Sequence, residues 1–113
     1  MQLKSLYFDE RALLNRVFLP HSFWQRARGL LGKPPLQIDE GFLFNDCRAI
    51  HMFGMRHMLD IVFVDGDLKI CKLVPELSPW RMAYCANAEH TLELASGSIG
   101  RLELTLGQQL ELR

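Results

Sequence analysis

Cys47 to Asp65, reading CRAIHMFGMRHMLDIVFVD, gathers the side chains best suited to chemistry: Cys47, His51, Met52, Met55, His57 and Met58, directly ahead of the apolar run Leu59 to Val64. Thioether and thiolate sulfur with imidazole suit Cu(I), a soft ion that tolerates few ligands, and Zn(II) is the harder alternative for the same histidines and cysteine. The metal reading therefore rests on Cys47, His51, Met52, Met55 and His57. Met52, Met55 and Met58 recur every third residue, and on a strand such residues point to opposite faces. They converge only if Gly54 bends the chain. The plainer reading is that the methionines fill irregular gaps in a core and that no metal or other cofactor is held.

His51 has two roles open to it, a ligand contact or general base, or a hydrogen bond to a backbone carbonyl beneath a loop. No Ser/His/Asp order, phosphate-cradling glycine loop or CxxC pair accompanies it, and nothing marks Cys47 as an activated thiolate. No catalytic motif is identified. A second cluster, Pro79-Trp80-Arg81 with Tyr84, offers an aromatic rim or a lid over the core. Together His51, Phe53, Met55 and Trp80 are the candidate binding residues, for a small molecule, a glycan or a protein segment. A noncatalytic binding module is the preferred function, with a metal-handling protein as the alternative.

The positions of these residues depend on the elements around them. The chain has 113 residues, 49% of them hydrophobic, enough for one domain spanning residues 1–113 and its own core. Thirteen basic and thirteen acidic side chains cancel, which removes the global attraction to phosphate on which nucleic-acid binding relies. No run approaches the roughly 18 apolar residues of a membrane span, and the N-terminus lacks the apolar core of a signal peptide. The expectation is a cytoplasmic protein, a monomer or weak dimer, with no nucleic acid or membrane as partner. Cys47, Cys71 and Cys85 are odd in number and read as reduced thiols.

Lys4 to Phe8 and Leu13 to Leu19 read as a hairpin about Asp9-Glu10-Arg11. Ser22 and Gln25 form a capping-box pattern, and Gly32 with Pro34 and Pro35 supplies a stop, so Ser22 to Leu31 reads as the main helix. Phe23, Trp24, Ala27, Leu30 and Leu31 form its apolar stripe. Gly41 to Phe44 and Ala49 to Phe53 read as strands, and Ile61 to Val64 as a central strand buried on both faces. Asp65-Gly66-Asp67 turns that strand into Leu68 to Cys71, with glycine taking the positive φ. Pro75, Pro79 and Trp80 mark an irregular crossing. Ala83 to Ala88, Thr91 to Leu94, Leu102 to Leu106 and Leu110 to Leu112 resume strand patterns, and Glu93, Glu103 and Glu111 between leucines suggest one wet face. Short strands with one helix give a mostly β (α+β) chain, a compact barrel or jelly-roll-like sandwich.

Four blocks also carry a family resemblance over about Arg26 to Gly107: Arg26 to Gly32 (RARGLLG); Gly41 to Phe44 with Cys47; Ile50 to Met55 running through Leu59 to Asp65; and Leu92 to Gly97 (LELASG). In that order the chain resembles the family of domain of unknown function 192. The resemblance implies a small jelly-roll-like or barrel-like domain with a helix at the glycine-leucine-leucine block, and it implies no activity. Met52, and His57 with Met58, depart from the family's pattern.

Asp60 opens the most apolar run, where a carboxylate needs a cation or several donors. Arg26 is the expected partner, with Arg56 and the loop amides as alternatives. An Arg26 to Asp60 or Arg26 to Glu93 ion pair would lock the helix onto the sheet.

Overall fold

The computed structural model describes residues 2–20 and 34–113. Among these the chain forms nine strands and one short helix: β1 (Gln2–Phe8), β2 (Arg11–Leu19), β3 (Glu40–Phe44), β4 (Ala49–His51), β5 (Leu59–Val64), β6 (Ile70–Leu77), β7 (Met82–Tyr84), β8 (His90–Ala95), α1 (Ser98–Arg101) and β9 (Leu110–Leu112). The expected helix at Ser22 to Leu31, with Trp24 and Arg26, lies outside the described residues.

Seven strands form one sheet in the order β6-β5-β8-β3-β2-β1-β9, and β4 with β7 form a separate two-stranded sheet. Among the described residues, neighbouring strands pair antiparallel except β2 with β3, which run parallel. A parallel pair needs a crossover of about a dozen residues or more, and the stretch between Leu19 and Glu40 supplies that length. The sheet curls until its two edge strands meet at one end. A bridge pairs Lys69 with Gln109, and the amides of Ile70 and Leu110 donate to the carbonyls of Gln108 at 2.9 Å and Leu68 at 3.0 Å. The result is a barrel-like half-closed sheet.

Alternation divides the apolar side chains between two cores. Leu6, Leu14, Val17, Leu43, Val62, Val64, Leu92, Leu94 and Leu110 fill the inside of the curl. Phe42, Phe44, Leu59, Ile61 and Phe63 project to the other face, where Ile50, Met52 and Ala88 of the smaller lobe pack on them. Every residue of β5 is buried, because β6 and β8 flank it and both faces are covered. The strand expected to be central is thus interior, although β3 occupies the middle of the sheet. Gly41 sits where the layers are tightest. A Cβ there would lie 3.0 Å from Leu94 Cδ2 and 3.2 Å from both the Glu93 carbonyl oxygen and Leu14 Cδ1.

Several local expectations are corrected. Positive φ in the β5–β6 turn falls on Leu68, at 65°, and not on Gly66. Asp65 explains this, since its Oδ1 accepts the amides of Asp67 and Lys69, both at 2.9 Å, and holds the loop in a wider turn. β6 continues through Pro75 to Leu77, which an edge strand permits because the missing N–H faces no neighbour. β4 ends at His51, short of Phe53. Leu102 to Leu106 is not a strand: α1 ends there, Glu103 takes φ 56°, and only Leu104 of the segment is fully buried. Glu93 is buried at 7% exposure, so the wet face read from Glu93, Glu103 and Glu111 does not extend to β8.

Candidate functional site

The smaller lobe is built by a three-residue register: Ala49 opposite Tyr84, Ile50 opposite Ala83, and His51 opposite Met82. Ile50 turns inward to the second core and Ala83 packs against it. By alternation Ala49, His51, Met82 and Tyr84 therefore face outward, and all four are exposed.

Met52 then plugs the core at 1% exposure while its backbone organises the adjoining loops. Its amide donates to the Arg81 carbonyl at 2.8 Å, and its carbonyl accepts the Trp80 amide at 2.8 Å and the Met55 amide at 3.2 Å. Gly54 adopts φ 79°, the left-handed turn that lets Phe53 leave the strand. Trp80 adopts φ 69°, a conformation that costs a bulky side chain about 1–3 kcal/mol unless its surroundings impose it. The bond to Met52 is part of that imposition.

The rings that result form a short exposed ladder. His51 and Phe53 have centroids 4.9 Å apart at 36°, and Phe53 stacks on Trp80 at 5.9 Å and 25°. Phe53 is 46% exposed and Trp80 66%. Met58, Met82 and Tyr84 add exposed apolar surface on the same lobe or its connecting loop. Of the four candidate binding residues, His51, Phe53 and Trp80 come together, whereas Met55 is half-buried and packs against the second core. Sequence reasoning missed Met82, whose signal was its alternation with Ala83 and Tyr84 across from Ala49 to His51.

The metal-ligand set is not brought together. His51 faces outward, Met52 lies in the core, His57 is exposed, and Cys47 Sγ donates to the Ala49 carbonyl at 3.2 Å. Among the described residues no group of three or more His, Cys, Asp or Glu side chains is placed to hold a metal ion. Cys47 instead borders a shallow open depression with Asp46, Arg48, Ala49 and Glu89.

The buried carboxyls behave differently from one another. Asp60 is fully buried; its Oδ1 accepts the Glu76 amide and its Oδ2 the Ile99 amide, each at 2.8 Å. Backbone donors thus occupy both oxygens, one amide from β6 and one from α1. Among the described residues Asp60 and Glu93 form no ion pair, and Arg26 lies outside them. Glu93 sits between Phe42 and Ile61 in register, and burial pushes its carboxyl from 4.5 up to about 7. Structurally, Asp60 ties β5 to β6 and to α1.

No helix among the described residues is long and apolar enough to cross a membrane. The same fold occurs in two crystal structures. One is a protein of unknown function from Novosphingobium aromaticivorans, with a TM-score of 0.81 and 22% identity over 96% of this chain and 83% of that one. The other, from Sinorhizobium meliloti, is described as a "putative transcription regulator", with a TM-score of 0.82 and 24% identity over 97% of this chain and 91% of that one. A UPF0127 protein of Thermococcus sibiricus is 28% identical over 101 residues, 85% of this chain. The chain spans 65% of that relative's length. Residues 8–112 match the model of domain of unknown function 192, described as an uncharacterized ACR, and the chain belongs to that family.

Proposed function

We propose that this protein is a noncatalytic binding module that captures an extended segment of a partner protein on the ladder of His51, Phe53 and Trp80. The observation that carries the reading is the stack itself: two large aromatic rings lie 5.9 Å apart and both substantially exposed, Phe53 next in sequence to the buried Met52 and Trp80 bonded through its amide to the Met52 carbonyl. Exposed apolar side chains are individually ordinary, but a contiguous aromatic group is the usual mark of an interaction surface. Trp, Tyr, Met and Arg are the residue types that interfaces enrich.

Charge narrows the partner. Arg48, Arg56 and Arg81 flank the patch in sequence and are exposed, and among the described residues none of them forms an ion pair. From Cys47 to Leu59 and from Leu77 to Ala88 there is no Asp or Glu. The lobe is locally cationic on a chain of zero net charge. A segment with apolar or aromatic side chains among carboxylates complements it.

Panning a random-peptide phage library on the wild-type protein tests this reading. It expects enriched acidic sequences with aromatic or aliphatic residues, released by the substitution Trp80→Ala. Absence of enrichment, or peptides that bind Trp80→Ala and Phe53→Ala equally well, would overturn it.

A further inference from the structure

We infer that Cys71 and Cys85 form a peroxide-oxidisable dithiol, and that the disulfide it yields staples the two-stranded lobe to the edge of the main sheet. Cys71 is the second residue of β6, Cys85 comes directly after β7, and their Sγ atoms stand 3.8 Å apart. Both backbones are fixed at this point. Lys72 Nζ donates to the Tyr84 carbonyl at 2.7 Å, and the Cys85 amide donates to the Arg48 carbonyl at 3.0 Å. The sulfurs, 3.8 Å apart, must close by less than about 2 Å to reach the roughly 2.05 Å of an S–S bond.

The environment divides the two roles. Cys71 Sγ donates to the Phe63 carbonyl at 3.3 Å, and burial, with Cys85 as the next contribution, pushes this thiol up to about 11. Cys71 thus keeps its proton near neutral pH. Cys85, half-buried, directly precedes the exposed residues Ala86 and Asn87. The Cys85 thiolate attacks a hydroperoxide oxygen and breaks the O–O bond, giving a sulfenic acid and, with one proton, the first water. The Cys71 sulfur then displaces the sulfenic hydroxyl, which leaves with the Cys71 proton as a second water. Two thiols and one hydrogen peroxide become one disulfide and two waters, the two sulfurs giving up the electron pair that the O–O bond accepts. Cys47, whose thiol bonds the Ala49 carbonyl, takes no part.

Bonded, the two cysteines close a ring of fifteen residues that contains Trp80 and Met82. The staple restricts the strand that carries half of the exposed lobe.

The test is treatment of the folded full-length chain with hydrogen peroxide, then maleimide counting, intact mass and non-reducing peptide mapping. Expected are a fall from three reactive thiols to one and a single linked peptide pair holding Cys71 and Cys85, both reversed by dithiothreitol. The Cys47→Ala variant keeps the link, and Cys85→Ser loses it. If Cys85→Ser fails to fold, the peptide map of Cys47→Ala decides alone. A link through Cys47, sulfinic or sulfonic acid without a link, or three thiols surviving peroxide that fully oxidises a reference dithiol would each overturn the proposal.

Discussion

The carbonyl of Met52 accepts the amide of Trp80 at 2.8 Å, joining a side chain at 1% exposure to one at 66%. The buried core and the exposed aromatic ladder meet in that one bond, and the two residues respond differently to truncation.

Met52→Ala removes a fully buried side chain from the second core. It should cost about 2–5 kcal/mol, the range for such truncations, read as a lower urea midpoint at unchanged slope. Trp80→Ala should cost less than about 1 kcal/mol, because its ring leaves little buried surface behind.

Asp60→Asn replaces one of the two acceptors used by the amides of Glu76 and Ile99 with an NH2 group that can only donate. An orphaned buried amide costs about 1–3 kcal/mol. Hydrogen exchange should speed most at whichever of the Glu76 and Ile99 amides faces the new NH2 group, since that is the amide released. Equal protection in the variant would contradict the assigned role.

Glu93 gives the fold a pH dependence. Its carboxyl titrates near 4.5 when unfolded and at about 7 when folded, so between those values the native state holds the extra proton. Stability from the protonated form is complete below pH 4.5 and is lost as pH rises through 7, a decline on the order of 3 kcal/mol. Glu93→Gln should flatten this slope and be the more stable protein at pH 8. Parallel curves for the two proteins would contradict it.

Gly41→Ala places a methyl 3.0 Å from Leu94 Cδ2 and 3.2 Å from the Glu93 carbonyl oxygen. Overpacking at such a point costs about 1–3 kcal/mol, measurable by thermal or urea unfolding.

The sequence made the β-rich class legible because its strands carry period-two patterns, and β5 stood out because the unbroken apolar run Ile61 to Val64 means cover on both faces. It misassigned Leu102 to Leu106, since alternating leucines look the same in a strand as in a short helix and turn. It left Glu93 open between a wet face and an ion pair with Arg26, because alternation along β8 does not reveal that a second core lies on the far face. His51, Phe53 and Trp80 were individually suspect, yet their stack depends on the β4–β7 register and on two positive φ values that no local pattern announces. The meeting of Cys71 with Cys85 is invisible for the same reason, fourteen residues apart, one in β6 and the other just past β7.

The most direct measurement is calorimetric titration of an acidic, aromatic-containing peptide from the phage selection into the wild type and into Trp80→Ala, each shown to melt at the same temperature. The account expects at least about a tenfold loss of affinity, the loss that truncating an aromatic interface anchor by about 1.4 kcal/mol gives. Equal dissociation constants for the two proteins would contradict it.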